Sequence, residues 1–190
     1  MSIQLNIAET VPCTEAEGPG KRYALWVQGC PLRCRGCCNS HMLEDKPIRI
    51  MGVEDILTDI LNTPNIEGVT FLGGEPFFQA EGLALLAQRI KQSGLSVMVF
   101  SGYTIDQIKR SGKPGWLELL EAIDILVDGP FMEEKRVMNR RWIGSDNQTV
   151  YFLSDRYHER DMNHAGKNTI EFHFNGTELI INGFPHEALF

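Results

Sequence analysis

Three cysteines, Cys30, Cys34 and Cys37, fall in the spacing C-x3-C-x2-C within the stretch Gly29-Cys30-Pro31-Leu32-Arg33-Cys34-Arg35-Gly36-Cys37-Cys38-Asn39-Ser40-His41. Thiolates on one short loop can converge on a single centre, and thiolate favours zinc, copper(I) and iron-sulfur clusters over hard, oxygen-seeking ions. An iron-sulfur cluster normally takes four protein thiolates. A set of three therefore leaves one iron of a four-iron cluster to solvent or a small molecule, and that open corner is where chemistry would occur. A structural zinc site needs a tetrahedron of four ligands, with His41, or less easily Cys38 beside Cys37, as the fourth. Disulfides fit poorly: five cysteines is an odd number, and four of them crowd into nine residues. The opening Met1-Ser2-Ile3-Gln4-Leu5-Asn6 lacks the basic region and apolar run of a signal peptide, so a reducing, cytoplasmic setting is expected.

The elements that must position this loop alternate between two periods. Strand candidates are 22–28, 67–72, 95–100, 123–128 and 148–153, rich in β-branched, aromatic and other apolar residues. Between them, residues 51–61 place Val53, Ile56, Leu57, Ile60 and Leu61 at helical spacing, and 79–92 does the same with Leu83, Leu86, Ala87 and Ile90 before Gly94. Shorter helical segments are expected at 104–110 and 115–122. Strands alternating with helices indicate βαβ units. Five strands are too few for a closed eight-stranded barrel, so the expected fold is α/β, an open partial (β/α) barrel with a mainly parallel sheet. A C-terminal β-hairpin is expected around Asn175-Gly176, with His173 on its polar side. The 190 residues are read as one domain, with a core at about 15–153 and an extension at about 154–190 whose segment Asp155 to Asn168 is a polar loop. The excess of 25 acidic over 18 basic residues, a net charge of -7, argues against nucleic-acid binding through phosphate neutralisation. No apolar run is long enough for a membrane span.

Several strand ends carry ligand-like residues. Gly73 and Gly74 let the backbone approach a ligand closely, or simply permit a turn, and Glu75 follows them. Ser101-Gly102 closes the next strand, as a ligand edge or as a βα turn with Thr104 capping a helix. Asp128 ends another strand, where it binds a cofactor or cation or caps a turn with Gly129. Arg140, Arg141 and Trp142 lie in a charged, irregular segment, either as a solvated surface or as anchors for a protein substrate.

Taken together, these pieces resemble the radical S-adenosylmethionine superfamily, and within it the small activating enzymes of glycyl radical enzymes, especially the activases of anaerobic ribonucleotide reductase. The matching pieces are Gly18-Pro19-Gly20 with Arg22, Gly29-Cys30 through Asn39, Phe71-Leu72-Gly73-Gly74-Glu75-Pro76, Ser101-Gly102-Tyr103, Leu126 through Phe131, and Gly144 through Gln148. They occur in the family's order. Many superfamily members carry an aromatic residue where this chain has Gly36, which the reductase activases share; those activases tend to carry Tyr where this chain has Cys38. Residues from about 155 onward have no counterpart in the resemblance.

The resemblance implies that Cys30, Cys34 and Cys37 hold a 4Fe-4S cluster whose open iron is chelated by the methionine end of S-adenosyl-L-methionine. Gly73, Gly74 and Glu75 would lie beside the cofactor's amino group, with Ser101, Gly102 and Asp128 also contacting it, and Gly144 through Gln148 would sit on its adenosine side. One electron, from a flavodoxin or ferredoxin, would cleave the cofactor to a 5'-deoxyadenosyl radical. That radical would abstract hydrogen from a glycine of a partner glycyl radical enzyme. No acid-base residue is required. Two other readings remain open: a radical enzyme acting on a small molecule or peptide, and a zinc-binding interaction module.

Overall fold

The computed structural model describes residues 3–162, 169–174, 176 and 179–183. In chain order its elements are β1 (Gln4–Thr14), β2 (Arg22–Val27), β3 (Arg49–Gly52), α1 (Val53–Asn62), β4 (Gly68–Gly73), α2 (Ala80–Gln92), β5 (Ser96–Phe100), α3 (Ile105–Arg110), α4 (Trp116–Ala122), β6 (Ile125–Asp128), β7 (Thr149–Phe152), β8 (Glu171–Phe174) and β9 (Leu179–Asn182). Seven of the strands form one sheet in the order β3-β1-β2-β4-β5-β6-β7, and β8 and β9 form a separate hairpin.

The helix expectations match α1 to α4 closely, because each helix has a strong apolar stripe and a local stop. α1 buries Val53, Ile56, Leu57 and Ile60, and Gly94 takes a left-handed φ of 88° just past α2. Thr104 closes a capping box with Gln107 at the start of α3. A fully buried Leu, Ile or Phe contributes about 1.5–3 kcal/mol relative to its exposed state, so these stripes fasten the helices to the sheet.

The sheet departs from the expectation in three ways. β2, β4, β5 and β6 pair in parallel, whereas β7 returns antiparallel to β6. A parallel return needs a crossover, usually a helix. The segment between β6 and β7 holds only a single helical turn at Glu133–Lys135, so the chain folds straight back. β1 and β3 were not anticipated, and both lie antiparallel to their neighbours at one edge. β1 escapes sequence reading because register shifts at Ile7/Glu9 and Val11/Thr14 interrupt its alternation. β3 has only four residues, too few to show a period. The sheet ends at β3 and β7, which do not pair with each other, so the barrel stays open.

The main core packs α1, α2, α3 and α4 against the sheet around Phe71, Leu83, Leu86, Val97 and Leu126. Smaller clusters, one with Trp26 and Leu72 and one with Met98 and Trp142, lie apart from this helical core. The sheet is tied across three strands by Arg22, which is fully buried. Its Nε donates to Thr70 Oγ1 at 2.7 Å, its Nη1 to Ser96 Oγ at 2.9 Å and Pro19 O at 3.2 Å, and its Nη2 to Val69 O at 2.7 Å. Tyr157 hydroxyl joins this network through Ser96 and Glu67. Burial holds the Arg22 pKa below its usual value.

The hairpin expected around Asn175-Gly176 is present as β8 and β9, in the register Phe172↔Ile181 and Phe174↔Leu179. Asn175 and the side chain of His173 lie outside the described residues, as do 163–168 of the expected polar loop. The hairpin is fastened to the β1–β2 connection by carboxylates. Glu171 accepts from Thr14 Oγ1 at 2.5 Å and from Glu15 N at 2.7 Å, and Glu17 Oε1 accepts from Gly183 N at 2.9 Å.

Because several buried acceptors depend on one side chain, Arg22→Ala is expected to destabilise the fold by about 3 kcal/mol or more, since each buried group left unsatisfied costs about 1–3 kcal/mol. Arg22→Lys recovers only part of this, as an ammonium cannot reproduce the planar fork. Urea unfolding of the three proteins, compared by midpoint at constant slope, checks it.

Candidate active site

β2 and β4 are parallel neighbours, so they deliver their following residues to the same rim: β2 supplies Gly29-Cys30 and β4 supplies Gly74-Glu75. Gly74 N donates to Val27 O at 2.8 Å, and Glu75 N to Gly29 O at 2.9 Å. This approach excludes side chains. A Cβ on Gly74 would stand 2.3 Å from Gly29 O, and one on Gly73, whose φ is 107°, would stand 2.8 Å from Val27 N and O. The far end of the cysteine loop is tied back by Gly29 N donating to Met42 O at 2.9 Å and Cys30 N to Leu43 O at 3.1 Å. Within the loop, Gly36 adopts a φ of 71°, and a Cβ there would meet the Glu133 carboxylate at 2.9 Å.

The rim opens into a cavity of about 330 Å³, within the range of small-ligand sites. Cys30, Cys34, Cys37, Gly73, Gly74, Glu75, Ser101 and Gly102 all line it. The structure therefore gathers eight of the nine residues singled out from the sequence. Asp128 is the exception: its Oδ2 accepts from Ile105 N at 2.6 Å, so it holds the start of α3, and its neighbour Gly129 reaches the cavity instead.

Glu75 is 1% exposed. Its Oε1 accepts from Phe77 N and Ser101 Oγ, both at 2.9 Å, and its Oε2 from Gly102 N at 2.8 Å. The carboxyl thus pins the end of β5 to the end of β4. With two donors on Oε1 and one on Oε2, Oε2 retains capacity for one more. Burial pushes its pKa up to about 7, against the lowering effect of these three bonds. Burial also raises the thiols of Cys30 and Cys37, so ligation there must displace protons.

Sequence reasoning missed much of the cavity's remaining wall. Trp26, Leu72 and Phe100 supply apolar surface, and Glu17, Cys38, Ile181, Asn182 and Gly183 also line it. Trp26 and Leu72 were legible as strand residues but not as wall. Glu17 carries no local signal at all. Trp142, read from the sequence as part of a solvated surface or as an anchor for a protein substrate, is instead 7% exposed and lines the cavity, with a left-handed φ of 61°. Arg141 stacks its guanidinium 5.0 Å from the Trp142 ring centroid, and Arg140 pairs with Asp146 at 3.0 Å. Gln148 holds the Gly144 turn, its Oε1 accepting from Gly144 N at 2.9 Å and its Nε2 donating to Gly129 O at 3.0 Å.

The donor set suits an iron-sulfur cluster. All five cysteines are free thiols, and four of them, the three of the spaced motif and Cys38, line a cavity that has room for a small molecule. Among the described residues no three His, Cys, Asp or Glu side chains are gathered as tightly as a single metal ion needs. Residues 16–151 match the family described as a 4Fe-4S single cluster domain. The anaerobic ribonucleoside-triphosphate reductase-activating protein of Enterobacteria phage T4 is 28% identical over 163 residues, covering 83% of this chain and all of that protein. The protein of the same name from Escherichia coli strain K12 is 29% identical, covering 78% of this chain and 99% of its own. That from Vibrio cholerae serotype O1 is 32% identical, covering 77% of this chain and 97% of its own.

Two outcomes follow from this geometry. Gly74→Ala forces the Gly29 backbone away, and is expected to lower bound iron and sulfide after anaerobic reconstitution by more than half. Gly94→Ala, where a Cβ meets nothing within 4 Å, leaves both unchanged. The second concerns Glu17, whose pKa is pushed up to about 7 by burial, with Gly183 N–H opposing and Glu171 adding to the rise. Its folded form holds the proton more tightly than the unfolded chain, so its stability contribution is full below about 4.5 and declines as pH rises through about 7. Glu17→Gln in the metal-free protein should therefore raise the thermal midpoint more at pH 8 than at pH 5. Glu75 is common to both proteins and cancels in the difference.

Proposed function

The chain belongs to the 4Fe-4S single cluster domain family, among the radical S-adenosylmethionine activases, and on that premise we propose that it installs a glycyl radical on a partner enzyme such as an anaerobic ribonucleotide reductase. The observation that carries the reading is the meeting of Cys30, Cys34 and Cys37 with the Gly73-Gly74-Glu75 edge on one cavity rim. When bound there, the cluster and S-adenosylmethionine supply one-electron chemistry that yields a 5'-deoxyadenosyl radical able to take hydrogen from a glycine Cα.

The chain's own residues bind, orient and exclude. Cys30, Cys34 and Cys37 would hold the cluster. Gly73 and Gly74 admit the cofactor's amino group close to the backbone, and the remaining lone pair of Glu75 Oε2 accepts one of its ammonium hydrogens in a charge-assisted bond. Ser101 and Gly102 hold Glu75 in that orientation. Trp26, Leu72 and Phe100 keep water from the path between cofactor and substrate, which limits side reactions. No side chain is needed to move a proton.

The partner's glycine loop would enter between the open sheet edges, since β3 and β7 leave the barrel unclosed. The electron would come from a flavodoxin or ferredoxin, acidic proteins suited to the exposed Arg33 and Arg35 of the cysteine loop. The five free thiols fit the reducing cytoplasm. Among the described residues no helix is long and apolar enough to cross a membrane. Residues 15–153 serve in this reading as the catalytic core of a single domain, followed by the hairpin extension.

Electron paramagnetic resonance tests the reading in two stages. Dithionite-reduced, reconstituted protein should show a 4Fe-4S signal that changes on adding S-adenosylmethionine. Adding the anaerobic reductase encoded in the same genome should then produce a glycyl radical doublet. Cofactor cleavage without that doublet would favour a small-molecule or peptide substrate, and zinc in place of iron would overturn the radical reading altogether.

A further inference from the structure

The C-terminal hairpin has one face that the chain itself uses and one that it leaves bare. Its register sets Phe172 opposite Ile181 and Phe174 opposite Leu179. Residues directly opposite one another, and residues two apart on a strand, share a face of a sheet, so these four side chains lie together. All four are exposed, Phe172 by 57%, Phe174 by 72%, Leu179 by 57% and Ile181 by 38%. The other face carries the opposed pair Glu171 and Asn182. Glu171 accepts from Thr14 and Glu15, and Asn182 is buried, so that face is turned to the body of the protein. A contiguous exposed apolar patch marks an interaction surface.

Position identifies the occupant. Ile181 also lines the active cavity, whereas Phe172, Phe174 and Leu179 are not part of its lining, so the apolar face starts at the cavity wall and runs outward from it. We propose that this face docks the partner enzyme, receiving an apolar surface that adjoins the glycine entering the cavity. The inference rests on the activase reading and adds to it the surface by which the protein substrate is recognised. A glycine of a folded partner reaches the cavity only when the partner's own surface comes against the rim. Specific interfaces use about 20–30 residues a side, so four apolar side chains form the core of one and the surroundings of the cavity supply the rest. Phenylalanine is enriched in such cores. A second copy of this chain fits less well, because seating it on Ile181 would close the cavity to its substrate.

The proposal also assigns a role to the hairpin. Residues 172–181 lie beyond 16–151, the span matched by the family. Glu171 and Gly183 fasten the hairpin to the β1–β2 connection, and that attachment holds the apolar face at the cavity edge. The cysteine loop and the glycine-glycine-glutamate edge stay within the family span, while docking draws on this chain's extension.

The test follows glycyl radical formation by the reconstituted, full-length protein on the anaerobic reductase from the same genome, read as the amplitude of the paramagnetic doublet while reductase concentration is varied. The double variant Phe172→Ser with Phe174→Ser is expected to raise the apparent KM for the reductase about tenfold or more, the factor that losing an apolar anchor at an interface centre costs. The saturating rate stays within about twofold and the iron content is unchanged, whereas a purely structural role would lower one of these at unchanged KM. Leu61→Ser, which removes an equally exposed apolar side chain from α1, leaves KM as it was. Leu179→Ser, on the facing strand, replaces the double variant if the latter loses iron. An unchanged KM in a variant that retains its iron overturns the docking face while the activase reading stands. So does a wild-type dimer in sedimentation that the variant reduces to monomers, since a second copy then covers the face. If the wild-type protein cleaves S-adenosylmethionine yet leaves no glycyl radical on the reductase, the activase reading fails and the docking face with it.

Discussion

The close approach of two backbone segments, Gly29 at the end of β2 and Gly74 at the end of β4, is the constraint on which the site depends. Parallel pairing brings β2 and β4 to the same rim in register, and the hydrogen bonds from Gly74 N to Val27 O and from Glu75 N to Gly29 O extend that pairing past the strands. A side chain at position 74 would collide with backbone, which cannot swing aside as a flexible side chain can. The cysteine loop therefore starts from a fixed point, and its return through Met42 and Leu43 fixes its other end. Three thiols on such a loop share one wall before any metal arrives.

The same rim explains why Glu75 serves two ends at once. Its carboxyl accepts from Ser101 and Gly102 on the β5 side and from Phe77 on its own, so the β4 and β5 ends move as one body. Desolvation alone would leave it a neutral acid, and the three donors oppose that. The balance gives a group whose last lone pair is poised for a cation. Glu17, which lines the same cavity, is also buried but has one described donor, the N–H of Gly183.

The helical core and the cavity have different packing partners. α1 to α4 pack in the main core with the sheet, while Trp26, Leu72 and Phe100 turn apolar surface to the cavity. Strand order supplies the opening: β1 and β3 add antiparallel at one edge and β7 at the other, and none of the sheet's described strands joins the two edges. At the opposite end of the strands, Arg22 ties the central β2, β4 and β5 together with hydrogen bonds from a single guanidinium. The hairpin then borders the cavity rather than extending the sheet.

The sequence by itself determined the helices, the four parallel strands, the cysteine loop and the glycine-glycine-glutamate edge. These are legible because their causes are local: an apolar stripe at period 3.6, a short apolar run, a donor spacing, a capping residue. β1 escaped because bulges broke its period, and β7 was counted with the parallel strands, although it returns antiparallel, because direction depends on what lies between two strands. Asp128 sat at a strand end like Ser101, yet its carboxylate accepts from Ile105 N at the start of α3, a partner that no spacing reveals. Trp142 stood in a segment legible only as surface, solvated or anchoring, yet it is buried and lines the cavity. Glu17 and Asn182 stand 165 residues apart, and only the docking of β9 onto the β1–β2 connection brings them together. Local chemistry is written along the chain, whereas cavity walls are made by long-range contacts whose partners do not announce one another.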